Sequence, residues 1–577
     1  MDRMKLRGLI DGAAGREKAD LVINNCKIVD VYSGTIVKGN IAIRDGLIVG
    51  IGDYEGETEV DAKGAFAMPG LIDGHVHIES AFVTPEEFGK LVVPKGTTTV
   101  IADPHEIVNV CGVNGFEYML DAAKGTDLDI KYQVPSCVPA TPFESSGATF
   151  GSATIKTLMT IDAAFGLGEM MNFPGVIHKD DEVIAKILEA KRMNKVIDGH
   201  APGVAGKELN AYVAAGIKTD HECFTVKEMT EKIGLGMYIL LRQGSASQNL
   251  QGLLKGATAE NSRRLVFCTD DKQPKDIMER GSIDEHLRIS VEEGIDPVTA
   301  IRMGTLNTAE CYGLTDRGAI APGLRGDIVL VNNLKDFKVK KVFIEGKLVA
   351  EGKKYVGKSE VASSLKVRDS INIRDFPVER FNLNSKSDKV KVIEIVEGEI
   401  ITKSEVAKVT IDDTGDFVFN PKKDIVKIVV VERHHGTGKI GVGLLKGYGL
   451  KQGAVAQTIA HDSHNIVAVG VNNNEIVAAI GEIRAAGGGA VVVRDGKAID
   501  TMSLPIAGLM SEQKGELVAK ELERIQKVLH DDFGVNPKIE PLMTLSFMAL
   551  PVIPELKITD LGLFDVTKFD FTNIEAD

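Results

Sequence analysis

The chain has 577 residues, of which 44% are hydrophobic and 26% are charged; this balance is typical of a globular protein of about two or three domains and excludes a fibrous or largely disordered chain. Asp and Glu together number 82 against 68 Lys and Arg, which gives a net charge of -14. This surplus of negative charge disfavours a nucleic acid or an anionic membrane as partner, so a small neutral or cationic substrate fits better.

The opening residues and the cysteines argue against secretion. MDRMKLRGLIDGAAGREKAD lacks the apolar core of a signal peptide and no stretch is apolar over the length of a bilayer, so we expect a cytoplasmic protein. The six cysteines are scattered with no C-x-x-C pair, which predicts buried thiols rather than disulfides or a thiolate zinc cage. The chain also lacks the H-x-E and P-C-x-x-C motifs of the zinc deaminases that act on cytidine and nucleic-acid bases.

Short apolar runs between Gly, Asn and Asp turns occupy residues 20 to 68, and the same pattern returns at residues 318 to 356. We expect the two segments to pair into one small β-sandwich domain, made of residues 1–70 and 318–356.

Between these segments, eight short β-like runs alternate with loops and helical patterns, which predicts a (β/α)8 TIM-like barrel over residues 71–317. The runs are LIDGHVH near 71, TTTVIADPHE near 97, IKYQVPS near 130, AFGLGEM near 164, KVIDGHA near 195, IKTDHE near 217, MYILLRQGS near 237 and LVFCTDD near 265. Such a barrel holds its catalytic groups at the C-terminal ends of the strands, which is where the His and carboxylate residues of these runs fall.

Further strand-like segments such as KDIVKIVVVERH and GAVVVRDGK, and the helical stretch GELVAKELERIQKVLHDDF, follow from about residue 375. They predict a separate C-terminal α+β domain over residues 375–577. The fold class expected for the whole chain is therefore α/β, with the barrel, the flanking β domain and this third domain.

His75 and His77 stand two residues apart at the end of the first run. Because side chains alternate along a strand, both imidazoles point the same way and both can reach one ion. Taken alone, they could be two ordinary polar residues at a strand end. The surrounding string PGLIDGHVH, however, resembles the opening signature of the amidohydrolase superfamily, with the resemblance covering roughly residues 20 to 350, and this implies metal binding.

Four more candidate ligands occur one per strand end, namely Glu169, His200, His221 and Asp270. Mixed nitrogen and oxygen ligands suit Mn, Fe or Zn better than Ca or Mg. In the superfamily a carboxylated Lys often bridges two metals after the fourth strand, and here GLGEMMNF offers Glu169 at that place. The resemblance also implies that Asp270 touches a metal and accepts a proton from the nucleophilic water, while the adjacent Asp271 faces the other way.

The strings PGLIDGHVHIESAFVTPEEFGKLVVPKGTTTVIADPHEI and GLGEMMNFPGV look like the adenine deaminase family, over nearly the whole chain. This resemblance implies two divalent ions, Mn or Fe before Zn, and a role in purine salvage. It implies hydrolysis of adenine to hypoxanthine and ammonia, in which metal-bound hydroxide attacks C6 and Asp270 and Glu169 are the catalytic carboxylates. The expected partner is the purine base alone, and the expected assembly is a homo-oligomer.

Contacts with the base are predicted at strand ends, for His105 and Glu106 in ADPHEI and for Arg242 and Ser245 in LLRQGS. His105 and Glu106 could instead orient a ligand imidazole, and Arg242 could be an exposed residue that holds a loop. In the C-terminal domain a possible additional site, either a third ion or a contact that covers the barrel mouth, is formed by His461, Asp462 and His464.

Three other functions fit the sequence less well. The nearest is another amidohydrolase that acts on a cyclic amide or an N-acetyl group with the same metals. A catalytically silent scaffold is disfavoured because all six ligand positions are filled. A nucleic-acid-binding role is disfavoured by the acidic balance and by the absence of Trp.

Overall fold

The computed structural model describes residues 2–576 and starts with a helix followed by a strand-rich segment. Helix α1 (Arg3–Ala13) begins after Asp2, whose side chain accepts hydrogen bonds from the first-turn amides and so caps the helix. Five strands follow: β1 (Ala19–Asp30), β2 (Thr35–Arg44), β3 (Leu47–Ile51), β4 (Gly56–Asp61) and β5 (Phe66–Pro69).

Eight parallel strands then form the barrel: β6 (Leu71–Val76), β7 (Thr97–Ala102), β8 (Asp129–Val134), β9 (Ala164–Met170), β10 (Ile197–Gly199), β11 (Thr219–Asp220), β12 (Tyr238–Arg242) and β13 (Leu265–Cys268). Strands β6 to β10 pair in order as one arc, and β11 to β13 pair as a second arc. The arcs meet where the Asp270 amide donates to the His75 carbonyl at 3.0 Å and where the Lys218 amide donates to the Ile197 carbonyl at 3.3 Å. All eight predicted runs are strands of this barrel, so the predicted fold class is confirmed.

Twelve helices accompany the barrel strands: α2 (Pro85–Val92), α3 (His105–Ala123), α4 (Ser152–Met159), α5 (Phe173–His178), α6 (Asp181–Arg192), α7 (Gly206–Ala214), α8 (Val226–Gly234), α9 (Leu250–Leu254), α10 (Pro274–Glu279), α11 (Ile283–Glu292), α12 (Pro297–Met303) and α13 (Leu306–Tyr312). Strands β6 and β7 are buried along their whole length. Such all-buried parallel strands are expected where helices cover the sheet.

After the barrel, four strands return to the N-terminal segment: β14 (Ile328–Val331), β15 (Val339–Ile344), β16 (Lys347–Glu351) and β17 (Lys354–Tyr355). Strand β14 pairs antiparallel with β5, which joins both flanking segments into one nine-stranded sheet. The predicted pairing of residues 20–68 with residues 318–356 is therefore confirmed. Its own apolar core includes Ile23, Ile43, Leu330 and Phe343.

The C-terminal part contains strands β18 (Lys389–Ile395), β19 (Thr402–Lys408), β20 (Thr410–Ile411), β21 (Phe417–Val418), β22 (Ile425–Val431), β23 (Ile440–Lys446), β24 (Ala454–Gln457), β25 (Ile466–Gly470), β26 (Gly489–Arg494), β27 (Lys497–Ser503), β28 (Leu556–Thr559), β29 (Gly562–Asp565) and β30 (Asp570–Phe571). Its helices are α14 (Asn473–Ala486), α15 (Gly515–Asp531) and α16 (Pro541–Ser546). Eight strands form one sheet in the order β19-β18-β23-β22-β25-β24-β26-β27, and α14 packs its apolar face against that sheet.

The C-terminal part packs directly on the mouth of the barrel. The Asn465 side chain donates to the Ser145 carbonyl at 2.7 Å, and the Ser511 amide donates to the Phe82 carbonyl at 2.9 Å. One continuous apolar core includes side chains from both parts. The predicted boundaries, 1–70 with 318–356, 71–317 and 375–577, stay our proposal for the division into domains.

The six cysteines are free thiols, and five of them are buried. Over residues 2–576, no helix has both the length and the apolar character that crossing a bilayer requires.

Candidate metal centre

The six predicted ligands gather at one point of the barrel mouth, each at or just after the end of a strand. Five of them are buried and His200 is partly exposed. The strands that position them are β6, β9, β10, β11 and β13, which carry or immediately precede His75, His77, Glu169, His200, His221 and Asp270.

The first half of the centre is formed by the two histidines of β6 and two carboxylates. The Nε2 atoms of His75 and His77 lie 3.1 Å apart. Oδ1 of Asp270 lies 3.5 Å from His75 Nε2 and 3.2 Å from His77 Nε2. Oε1 of Glu169 lies 3.6 Å and 3.3 Å from the same two nitrogens. Four donor atoms therefore face one small volume.

Partners behind the two rings set which nitrogen faces that volume. His77 Nδ1 donates to the Asp103 carbonyl at 2.8 Å, so its Nε2 lone pair points into the centre. His75 Nδ1 lies 3.6 Å from Asp198 Oδ2. Burial favours the neutral ring, yet contacts with Asp198 and Glu169 raise the pKa of His75 to about 10. The two facing Nε2 atoms can share a proton as a hydrogen bond, and as neutral imidazoles they would be suited to holding one metal ion.

The second half of the centre lies on the other side of the Glu169 carboxylate. Its Oε2 atom is 2.7 Å from His200 Nδ1 and 3.3 Å from His221 Nε2. Burial by itself would raise the pKa of Glu169, but hydrogen bonds from His200 and His221 hold it well below its usual value. Glu169 stays ionised and turns one oxygen towards His75 and His77 and the other towards His200 and His221.

A tight local packing holds Glu169 in place. The Asp103 carboxylate accepts the Glu169 amide proton at 2.9 Å. A Cβ atom on Gly168 would lie only 2.1 Å from Asp103 Oδ2, so this close approach requires glycine. The Gly-Glu pair in GLGEM is therefore needed for the contact with the strand end at residue 103.

Arg242 is 2% exposed, so the alternative of an exposed residue that holds a loop is wrong. Its guanidinium donates to both oxygens of Glu222, to Asp270 Oδ2 at 2.8 Å and to Ser247 Oγ at 2.6 Å. Burial would raise the pKa of Asp270, but Arg242 and His77 hold it well below its usual value. Arg242 therefore keeps two carboxylates ionised beside the centre.

Asp270 and Asp271 differ in their hydrogen-bonding neighbours, although both line the pocket at the barrel mouth. Both follow β13, which ends at Cys268, and Asp270 has a φ of 56°, so the expected strand alternation does not apply to them. Asp270 faces the two histidines of β6, whereas Asp271 Oδ1 accepts a hydrogen bond from Ser80 Oγ at 2.5 Å. Ser80 Oγ also lies 3.0 Å from Glu106 Oε1. Ser80 thus connects the end of β13 to the start of α3.

His105 lies directly beside the candidate metal ligand Glu169. Its Nδ1 is 3.4 Å from Glu169 Oε1, and its donor atom groups with those of His77 and Glu169 within 4.8 Å. Its Nε2 is 3.9 Å from Asp462 Oδ1. His105 can therefore reach a ligand-binding position or orient Glu169, and its predicted contact with the base stays a prediction.

Glu106 faces the C-terminal part, where it meets two of the predicted additional residues. His461 Nδ1 lies 3.5 Å from Glu106 Oε1, and His464 Nε2 lies 3.8 Å from Glu106 Oε2. His464 Nδ1 accepts the Ala460 amide proton at 3.2 Å, and burial holds the pKa of His464 well below its usual value. The neutral ring therefore carries its proton on Nε2, which has no hydrogen-bond partner among the described residues. Glu106, His461 and His464 are also close enough together to hold an ion, so the third ion and the contact over the barrel mouth both stay predictions.

The centre opens into a pocket with two kinds of lining. The barrel contributes mostly polar side chains, including five of the six predicted ligands, together with Met171 and Ala246. The C-terminal part contributes the polar residues His461 and Asp462 and the apolar side chains Ile400, Phe547, Leu550, Val552 and Ile553. Ser245 is not among the lining residues, and its Oγ donates instead to Asp276. Its predicted contact with the base is not supported by this position, and Ser247 lines the pocket in its stead.

Several residues of the centre were not predicted. Glu222 directly follows His221, and its Oε1 lies 3.6 Å from the His221 Nε2 atom. Asp103 in ADPHE and Asp198 in IDGH were visible as carboxylates at strand ends, and that position was the available signal. The apolar residues from the C-terminal part had no such signal in the sequence.

Two protein families match the chain. The amidohydrolase family matches residues 66–349, and the adenine deaminase C-terminal domain matches residues 399–570. These ranges correspond to the barrel with part of the flanking sheet and to most of the C-terminal part.

Relatives align over the whole chain. Adenine deaminase 2 of Desulfotalea psychrophila is 53% identical over 576 residues and covers 100% of both chains. Adenine deaminase of Ligilactobacillus salivarius is 49% identical over 578 residues, also with 100% of both chains covered. Adenine deaminase of Clostridium acetobutylicum is 46% identical over 566 residues, which is 97% of this chain and 99% of the relative.

Proposed function

The chain belongs to the adenine deaminase family of metal-dependent amidohydrolases, and from that premise we propose that it hydrolyses adenine to hypoxanthine and ammonia at the centre described above. The observation that carries this proposal is Glu169, whose two oxygens face separate groups of imidazoles, with Asp270 beside the first group. That arrangement suits a pair of divalent ions. We propose Mn or Fe as the resident metals, with Zn as a third option.

Divalent ions at such a site lower the pKa of a coordinated water to about 7, which makes a nucleophile available at neutral pH. The chain's own residues handle the proton. Asp270 is ionised and faces the centre, so it can accept the proton of the attacking water. As oxygen bonds to C6 and the C6–N6 bond breaks, this proton passes to the leaving amine, which departs as ammonia.

Arg242 assists the proton transfer by holding Asp270 in position. By bonding both Glu222 and Asp270, it fixes the side chain of the proton acceptor against the first group of imidazoles. Glu106 and His105, at the start of α3, are proposed to hold the ring nitrogens of the base. Each is buried, so a hydrogen bond to either would form away from water, where it is strongest.

A direct assay tests the proposal. Apo protein is reloaded separately with Mn, Fe and Zn, and adenine is followed by its ultraviolet spectrum and by ammonia release. The expected result is conversion of adenine to hypoxanthine with one ammonia per turnover. A flat spectrum with adenine, together with cleavage of a dihydropyrimidine or an acetylated sugar, would favour the other amidohydrolase function.

A further inference from the structure

The apolar half of the pocket comes from two stretches that are far apart in the sequence. Ile400 lies just before β19, whereas Phe547, Leu550, Val552 and Ile553 follow α16. We call these five side chains the roof. The Phe547 ring stacks on the His461 ring with centroids 4.6 Å apart and an angle of 21° between planes, so the roof also rests on the loop that meets Glu106.

A buried lysine joins the two stretches. Lys557, in β28, is 0% exposed, and its Nζ donates to the Ile400 carbonyl and to the Phe547 carbonyl, both at 3.0 Å. Among the described residues, no carboxylate oxygen forms an ion pair with it. Backbone hydrogen bonds between Thr402 and the segment 554–555 add to this connection.

Burying the charged amine of Lys557 without a carboxylate partner is unfavourable in free energy. Burial alone lowers the pKa of Lys557 to about 7, because nothing nearby compensates its charge. The other buried lysines of the chain with comparable burial have a carboxylate partner, such as Asp416 beside Lys427 and Asp220 beside Lys232. The position of Lys557 is therefore explained by what it holds, the two backbone carbonyls under the roof.

The shape of a purine relates the roof to specificity. When C6 faces the metal centre, N9 lies on the far side of the ring system, and a substituent on N9 points away from the metals. The roof is the apolar part of the lining that the C-terminal domain contributes, beside His461 and Asp462, and it differs in character from the mostly polar lining of the barrel. A flat base fits against apolar side chains, whereas a sugar at N9 would need that space.

We propose that the roof is the wall that admits the free base and excludes N9-substituted purines, and that Lys557 is the positioning residue that holds its two stretches together. This inference rests on the proposed deaminase function. Lys557 touches neither the substrate nor the metal ligands, and it acts through the Ile400 and Phe547 carbonyls.

The test compares adenine with 9-methyladenine as substrates of the metal-loaded full chain. Phe547→Ala opens the roof directly, and Lys557→Met removes the donor while keeping the chain length and burial. In both variants we expect the ratio of kcat/KM for 9-methyladenine to kcat/KM for adenine to rise by about tenfold or more. The KM for adenine should rise while kcat changes little, because every proposed metal ligand lies on the barrel.

Lys427→Met is the matched control, since Lys427 is a buried lysine of the same domain that donates to the Phe381 carbonyl and does not line the pocket. Its substrate ratio should equal that of the wild type. Circular dichroism and Tm identify variants that fail to fold, and Val552→Ala provides a milder opening of the roof in that case. Folded variants with the wild-type ratio would overturn the inference while leaving the deaminase function intact. A wild-type protein that does not deaminate adenine would overturn both.

Discussion

The pocket joins two surfaces of opposite character. The barrel surface is built from strand ends and loops and consists mainly of imidazoles, carboxylates and one arginine, with Met171, Ala246 and Ser247 beside them. Groups of its imidazole and carboxylate atoms lie within 4.8 Å of one another. The roof is built from loops of the C-terminal domain and is apolar. The polar surface can stabilise charge that develops during the reaction, whereas the apolar surface can only select a shape. Changes in the first should therefore act on kcat, and changes in the second on KM and specificity.

The largest effect is expected for Asp270→Asn. Loss of the proton acceptor should lower kcat by ~10²- to 10⁴-fold while the protein retains metal, measured by steady-state kinetics and metal analysis of the same sample. Asp121→Asn is the matched control, because it makes the same change at an exposed aspartate of α3 that does not line the pocket. Near-normal turnover of Asp270→Asn would remove Asp270 from the mechanism and weaken the contrast between the two surfaces.

An intermediate effect is expected for Asp103→Ala. This change removes the acceptor for the Glu169 amide, so Glu169 should lose its fixed orientation between the two groups of imidazoles. Metal affinity should fall by about 10- to 100-fold, measured by competition with a chelator of known affinity. Asp121→Ala, at an exposed aspartate on α3, is the control. Unchanged affinity would mean that Glu169 needs no support from the end of β7.

The smallest effect is expected on the free energy of unfolding, through Lys557, which holds the roof. The folded-state pKa of Lys557 is about 7, below the ordinary value of about 10.4, so between these pH values the unfolded chain binds more protons than the folded one. The free energy of unfolding should therefore increase as pH rises through this window and decrease as pH falls towards 7.

Comparison of Tm at pH 7 and pH 9 for the wild type and for Lys557→Met isolates this contribution. From pH 7 to pH 9, the Tm of the wild type should rise relative to the Tm of Lys557→Met. The expected rise is roughly 2–4 °C for each kcal/mol of added unfolding free energy in a domain of this size. A constant difference between the two proteins would show that Lys557 keeps its charge when buried, and it would then be a stronger tie between the two stretches of the roof.

The sequence and the structure agree best where function follows from local geometry. His75 and His77 were predicted together because residues two apart on a strand share a face. Strand-end positions in a parallel barrel converge at one rim, so Glu169, His200 and Asp270 were expected near them. Ser245 shows the limit of this reasoning, because the loop after β12 turns its Oγ towards Asp276 and places Ser247 in the pocket instead.

The sequence by itself determined the eight strands, the pairing of the flanking β segments and the position of each predicted ligand at a strand end, because period-two alternation and turn residues act over a few neighbours. Only the tertiary structure decided that Arg242 is buried between Glu222 and Asp270, that His464 faces Glu106, and that Lys557 ties Ile400 to Phe547. These contacts join residues up to several hundred positions apart, and their side chains give no local pattern. They arise because one domain packs on the rim of another, which brings buried charges and apolar side chains against partners that no short segment contains.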